Sequence, residues 1–299
     1  MPASKLPIYS ALVANFLIAV TKFIAAAFTG SSAMVSEGIH SIVDTSNEVL
    51  LLWGIRQSKK PADEKRPFGY GKELYFWSFI VSILIFGVGG GISFYEGVTH
   101  LQHPVAIENP IWNYIVLGIA ILFDGLSFIT ARREFNRQRG ATPFWRAVKT
   151  SKDPSTFVVL FEDAADVLGL IVAFLGVFLG HQLNNPYLDG IASIIIGFIL
   201  TAISVLLARE SRSLLMGESV DITILNEVKK IAEQDSLIVK VSRPLSMYLA
   251  PEEVILLMDV TFNANSSGHD IAAAVQRVRH EIQNEFPSIK QIFIEPASE

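Results

Sequence analysis

Ser36-Glu37-Gly38-Ile39-His40-Ser41-Ile42-Val43-Asp44 and Phe161-Glu162-Asp163-Ala164-Ala165-Asp166 each set ionisable residues four apart inside an apolar stretch of membrane length. Four residues make about one helical turn, so His40 and Asp44 share a face, and so do Glu162 and Asp166. An ionisable group at bilayer depth costs about 3 kcal/mol or more unless it faces a partner, a cavity or an ion. Two such pairs on different helices offer four ligands, which reads as an intramembrane cation site.

Composition points to the same solvent. Of 299 residues, 51% are hydrophobic and only 18% charged, which excludes an ordinary soluble globule. The net charge of −5 is unevenly placed: residues 1–216 hold 17 basic and 16 acidic side chains, residues 217–299 hold 7 and 13. The last part therefore reads as an acidic soluble domain, with no basic face for nucleic acid. Cysteine is absent, which excludes disulfides, iron–sulfur clusters and thiolate metal sites. A metal must be held by imidazole, carboxylate or water, and no cofactor is expected. The N-terminal apolar stretch lacks a short core followed by a small-residue cleavage motif, so it reads as a span that stays.

Six apolar segments, at about 8–28, 33–56, 74–99, 111–131, 155–180 and 187–208, are long enough to cross a hydrocarbon core of about 30 Å. The loops orient them. Residues 56–72 carry six Lys or Arg and residues 132–152 carry seven, whereas 29–32, 100–110 and 181–186 carry none. By the positive-inside rule both termini are cytoplasmic. Beyond Arg212 the pattern turns to soluble alternation. Asp221 caps a helix through about Gln234, strands are expected near 236–241, 254–262 and 289–294, and 268–286 has helical spacing. The expected fold is a membrane all-α six-helix transmembrane domain, 1–212, plus a cytoplasmic α+β domain of order α-β-β-α-β, 213–299. A domain that small gains buried area by dimerising.

On a helical wheel Glu37, His40, Asp44 and Glu48 fall within an arc of about 80°. The stripe could be inert hydrogen-bonded glue between helices. Depth argues for more, because His40–Asp44 and Glu162–Asp166 both lie near the middle of antiparallel spans, where transporters place their sites. Asp163, about 60° around from Asp166, is a second candidate ligand or relay, and Glu48 could line the approach. Lys22 and Asp124 read as a buried ion pair, or as a snorkelling lysine and a bundle-facing acid. Asp189 reads as the cap of the sixth span, Gly69 and Gly71 as a loop-to-helix turn, and the glycines at 87 and 89–91 as a packing or kink element. His100, His103 and His181 fall on expected external loops. The basic segment before the fifth span is explained by topology first and anionic-lipid contact second.

Three carboxylates and one imidazole suit a divalent first-row cation, Zn²⁺, Mn²⁺, Fe²⁺ or Co²⁺, and are unusually hard for Cu⁺, with a bare sodium or proton site as the alternative. The same groups release protons when they bind metal, a physical basis for exchange against H⁺. At Ser36 to Asp44, at Arg66-Pro67-Phe68-Gly69-Tyr70-Gly71-Lys72-Glu73, and from Leu188-Asp189-Gly190 through the sixth span, the chain resembles the cation diffusion facilitators. That resemblance covers nearly the whole length. It implies a six-span metal/proton antiporter, homodimeric, with a tetrahedral site given by His40, Asp44, Glu162 and Asp166.

Three positions depart from the family pattern. Glu162 stands where many members have His, which hardens the site. Arg66 and Tyr70 occupy places where some relatives have loop histidines. The C-terminal domain retains His269 and Glu295 but has Phe293 near a usual ligand position, so it is expected to dimerise without a full metal cluster. The resemblance implies a non-enzymatic efflux of Zn²⁺ by alternating access, in a bacterial inner membrane or an organelle membrane. Alternatives are a Mn²⁺, Fe²⁺ or Co²⁺ transporter, a membrane-anchored metal sensor or scaffold without transport, and a cation channel.

Overall fold

Each apolar run is helical in the computed structural model, which describes residues 6–105 and 110–297. In chain order these helices are α1 (Leu6–Thr29), α2 (Ser32–Ser58), α3 (Glu73–Leu84), α4 (Gly91–Gln102), α5 (Ile111–Arg139), the short α6 (Phe144–Thr150), α7 (Pro154–Gln182) and α8 (Tyr187–Met216). A π-helical segment, Ile85–Gly90, joins α3 to α4 in one continuous rod. The glycine run thus becomes a local change of helical pitch, a common cause of bending. By length and composition Glu73–Gln102, Ile111–Arg139 and Tyr187–Met216 can each cross a membrane.

Close helix packing here depends on missing side chains. Cβ atoms on Gly90 and Gly97 would lie 2.7 Å from Thr201 Oγ1 and from the Gly190 carbonyl oxygen, and one on Gly197 would lie 3.0 Å from the Gly90 oxygen. Gly90 at the end of the π-helical segment and Gly97 on α4, seven apart, therefore face glycines seven apart on α8, and the backbones meet almost directly.

Three expectations about this unit change. The fourth apolar run continues as helix to Arg139, and α6 follows, so much of the basic stretch 132–152 is helical and not loop. Asp189 does not cap its own helix. It accepts from Ser31 Oγ at 2.7 Å, from the Ser32 amide, and from the Ala33 amide at 3.2 Å, so it caps α2 across the bundle. The orphan amides at the α2 start are otherwise buried, which is why a distant carboxylate is drawn to them. His100 lies in the last turn of α4 and is buried. Residues 106–109 of the expected loop lie outside the described residues.

Residues 56–75 and 212–299 form a second unit, separate from 1–55 and 76–211. It contains α9 (Ile222–Glu233), β1 (Ile238–Val241), β2 (Leu245–Ala250), β3 (Glu253–Phe262), α10 (Gly268–Glu285) and β4 (Ile289–Pro296). The order is α-β-β-β-α-β, one strand more than expected. β1 and β2 run in line, both antiparallel to β3, with Val241 opposite Val260 and Leu245 opposite Leu257. Pro244, which has no N–H to give to the ladder, falls in the break between them. β4 pairs with the other edge of β3 in parallel.

On β3, Val254, Leu256, Met258 and Val260 are buried with Val278 and Ile282 of α10 and Leu225 and Val228 of α9. Asp221 caps α9 by accepting from the Thr223 amide at 2.9 Å, and Ser267 with Asp270 forms a capping box on α10.

The 56–75 segment is held to this sheet by its own chemistry. Asp63 accepts from Tyr70 Oη at 2.6 Å and from the Arg66 amide at 2.8 Å, and the Arg66 guanidinium lies 4.5 Å from the Tyr70 ring centre. The Tyr70 hydroxyl is the main reason the Asp63 carboxyl sits below its ordinary range. Phe68 meets Phe293 edge-on at 6.5 Å. A Cβ on Gly71 would lie 2.5 Å from the Leu249 oxygen. Gly71→Ala should therefore lift the segment from β2, costing about 1–3 kcal/mol for overpacking. Hydrogen exchange on the full chain should show faster exchange across β2, and unchanged protection there would refute the close approach.

Candidate metal site

α2 brings one polar stripe into the middle of the first unit, where it meets α1 on one side and α7 on the other. Glu37 pairs with Lys22 of α1 at 3.1 Å, and Lys22 also donates to Ser41 Oγ at 2.8 Å. One turn further, His40 Nε2 lies 2.6 Å from Asp166 Oδ1 of α7, and His40 Nδ1 lies 3.4 Å from Asp44 Oδ1. Asn47 donates to Glu162 Oε1 at 2.7 Å, and Glu48 accepts from Asn15 at 3.0 Å. Moving along α2 from His40 to Asn47 moves the partner backwards along α7 from Asp166 to Glu162, so these helices run antiparallel.

His40, Asp44 and Asp166 each offer one ligand atom, and those atoms lie within 4.8 Å of one another. His40 is 1% exposed and the two aspartates 15%, so the group is shielded yet open on one side. Neither imidazole nitrogen has a hydrogen-bond partner of good geometry, and neither has Asp44 Oδ1. Two carboxylates and an imidazole with ligand atoms this close together could hold a divalent cation.

Glu162 is buried a turn away, engaged by Asn47, and does not join the three in this arrangement. It does line the same cavity of about 250 Å³, together with Asp44, Asp166, Glu48, Asp163 and Asp124. At about 30 Å³ per water this is room for a cation and part of its hydration shell. So dense a set of carboxylates is tolerable in a low-dielectric interior only with compensating cations, whether metal or proton. Asp163 also accepts from Ser127 of α5 at 2.9 Å, which holds it at the cavity wall.

Lys22 and Asp124 are not each other's ion pair. The ammonium is 1% exposed and bonds Glu37, which is wholly buried, while Asp124 lines the cavity. The reason is the separation of α1 and α2 by a single short turn, which sets Lys22 directly against the polar stripe. Asn47 went unrecognised in the sequence, although at 100° per residue it falls only about 20° outside the arc of Glu37, His40, Asp44 and Glu48.

Residues 8–216 match the family model of the cation efflux transmembrane domain. The mitochondrial proton-coupled zinc antiporter SLC30A9 of Homo sapiens is 36% identical over 227 residues, 75% of this chain and 40% of that protein. The manganese efflux system protein MneP of Bacillus subtilis is 26% identical over 298 residues, 95% of this chain and 92% of the relative. The chain spans about two fifths of the length of the mitochondrial antiporters that it matches. With this family model matched across the whole helical unit, the chain belongs to the cation diffusion facilitator family of integral membrane proteins.

Proposed function

We propose that the chain carries a divalent cation, Zn²⁺ foremost, out of the cytoplasm in exchange for protons. The observation that carries the reading is the convergence of His40, Asp44 and Asp166 from α2 and α7 on one shielded point. Zn²⁺ takes four ligands, and Glu162 supplies the fourth by exchanging its Asn47 hydrogen bond for the ion. Binding needs the neutral imidazole and the ionised carboxylates, so each ion that enters releases protons and each ion that leaves is replaced by them. Lys22 cancels the charge of Glu37, which leaves the charge facing the ion to the carboxylates of the cavity.

Alternating access follows if α1 to α5, α7 and α8 cross the bilayer as six spans, with both termini in the cytoplasm and the site opening to each side in turn. Residues 213–299 serve as the cytoplasmic dimerisation domain of a homodimer. The zinc antiporter relatives favour Zn²⁺, and the manganese efflux relative together with Glu162 favours a broader range that includes Mn²⁺.

The deciding experiment is metal uptake into proteoliposomes of the purified chain at two proton gradients, with Zn²⁺ and Mn²⁺ in competition. Saturable uptake that rises with the opposing proton gradient is expected. Uptake indifferent to that gradient would indicate a channel, and no uptake despite tight binding would indicate a sensor. A further expectation concerns Glu162→His. Imidazole suits Zn²⁺ better than Mn²⁺, so the competition should move toward Zn²⁺ by about tenfold, one favourable ligand exchange at about 1.4 kcal/mol. An unchanged preference would remove Glu162 from the ligand set and promote Asp163.

A further inference from the structure

At the basic end of α5 lies a second cavity that the ion does not use. It has about 400 Å³, within the range of small-ligand sites, and it runs between α5, α6 and α7. Its walls divide by chemistry. Phe128, Phe161 and Ala164 form an apolar floor, and Arg132, Asn136 and Arg139 form a polar rim. Phe128, Arg132, Asn136 and Arg139 follow one another at spacings of four, four and three, so they make one stripe on α5.

Neither guanidinium is paired with a carboxylate among the described residues. Arg139 donates to Asn136 Oδ1 and to the Thr142 carbonyl, both at 2.6 Å and both neutral acceptors. Among the described residues no acid is paired with Arg132, whereas nearby Glu134 is spent on Arg137 at 2.8 Å. About 90° around α5 from this stripe, Leu122, Leu126 and Ile129 leave another face of the helix apolar and exposed. Trp145, 60% exposed, stacks on Phe161 at 6.2 Å, the placement of an interfacial aromatic.

We propose that this groove binds an anionic phospholipid, its phosphate on Arg132 and Arg139 and the start of an acyl chain against Phe128, Phe161 and Ala164. Charge complementarity selects the occupant: the apolar floor takes the chain, and two guanidiniums without a carboxylate partner take the phosphate. Asn136 holds the Arg139 fork in place. The floor belongs to α7 only two residues from Asp166 at Ala164, so the lipid packs on the helix that carries half of the proposed ion ligands.

The test is native mass spectrometry of the purified full chain, delipidated in detergent and titrated with phosphatidylglycerol or phosphatidylcholine of matched chains. The wild type should prefer phosphatidylglycerol by about 30-fold, about fivefold for each arginine. R132Q/R139Q should abolish the preference, and R133Q/R137Q, whose residues do not line the groove, should keep it. Equal binding of the two lipids would overturn the proposal, and so would equal loss in both double variants, which would mean diffuse surface charge. Displacement by millimolar glycerol phosphate would overturn the lipid as the occupant and leave a free phosphate site. A photoreactive phosphatidylglycerol labelled near the headgroup end of the chain needs no variant: label is expected in 126–132 and 160–164, and label elsewhere alone refutes the groove. None of these readouts depends on metal transport.

Discussion

Asp166→Ala should lower Zn²⁺ affinity by more than about 100-fold and leave no saturable uptake in proteoliposomes. Asp166 approaches His40 Nε2 at 2.6 Å and is one of the three residues whose ligand atoms converge. Its loss removes a ligand and an anion together. Loss of an orienting partner alone costs about 10–100-fold in metal sites, so loss of the ligand itself should exceed that. Asp44→Ala should behave alike, whereas Asp163→Ala, whose carboxylate is held by Ser127 at the wall, should cost less than about tenfold. Titration calorimetry with Zn²⁺, beside circular dichroism to show an intact fold, makes the comparison. Near wild-type affinity in Asp166→Ala would end the assignment of this site.

The second large effect is on stability. Lys22→Met should destabilise the protein by about 3–5 kcal/mol, because it strands Glu37 as an unpaired buried anion beside Ser41. For a helical unit of this size that is a fall in Tm of about 6–20 °C. K22M/E37Q should recover most of the loss, since the amide carries no charge that burial penalises. Thermal melting of the four proteins in the same detergent completes the double-mutant cycle. A double variant no more stable than Lys22→Met would show that the lysine acts by packing and not by neutralising Glu37.

Local pattern alone sufficed for the helices, because apolar runs of 20 or more residues have no other way to satisfy their backbone in a membrane. It sufficed also for the polar stripe of α2 and for the caps at Asp221 and Ser267, which are decided within one turn of chain. The His40–Asp44 pair was legible for the same reason. What one-dimensional spacing could not decide is which partner each polar group meets. Lys22 chose Glu37 over Asp124, and Asp189 chose the amides of Ser32 and Ala33 over those of its own helix. Glu162, indistinguishable by period from a ligand, turned to Asn47.

The same limit governs the second unit. The alternation of β3 announced a strand, but β2 is a short edge strand ended by Pro251, and only its pairing with β3 makes it one. That the 56–75 segment belongs with residues 212–299 rests on Gly71 against Leu249 and Phe68 against Phe293, contacts between residues more than 170 positions apart. Helices and caps are local equilibria and can be read from neighbours in the chain. Charge pairing in a low-dielectric interior is a competition among every polar group within reach, and only the packed bundle sets who is within reach.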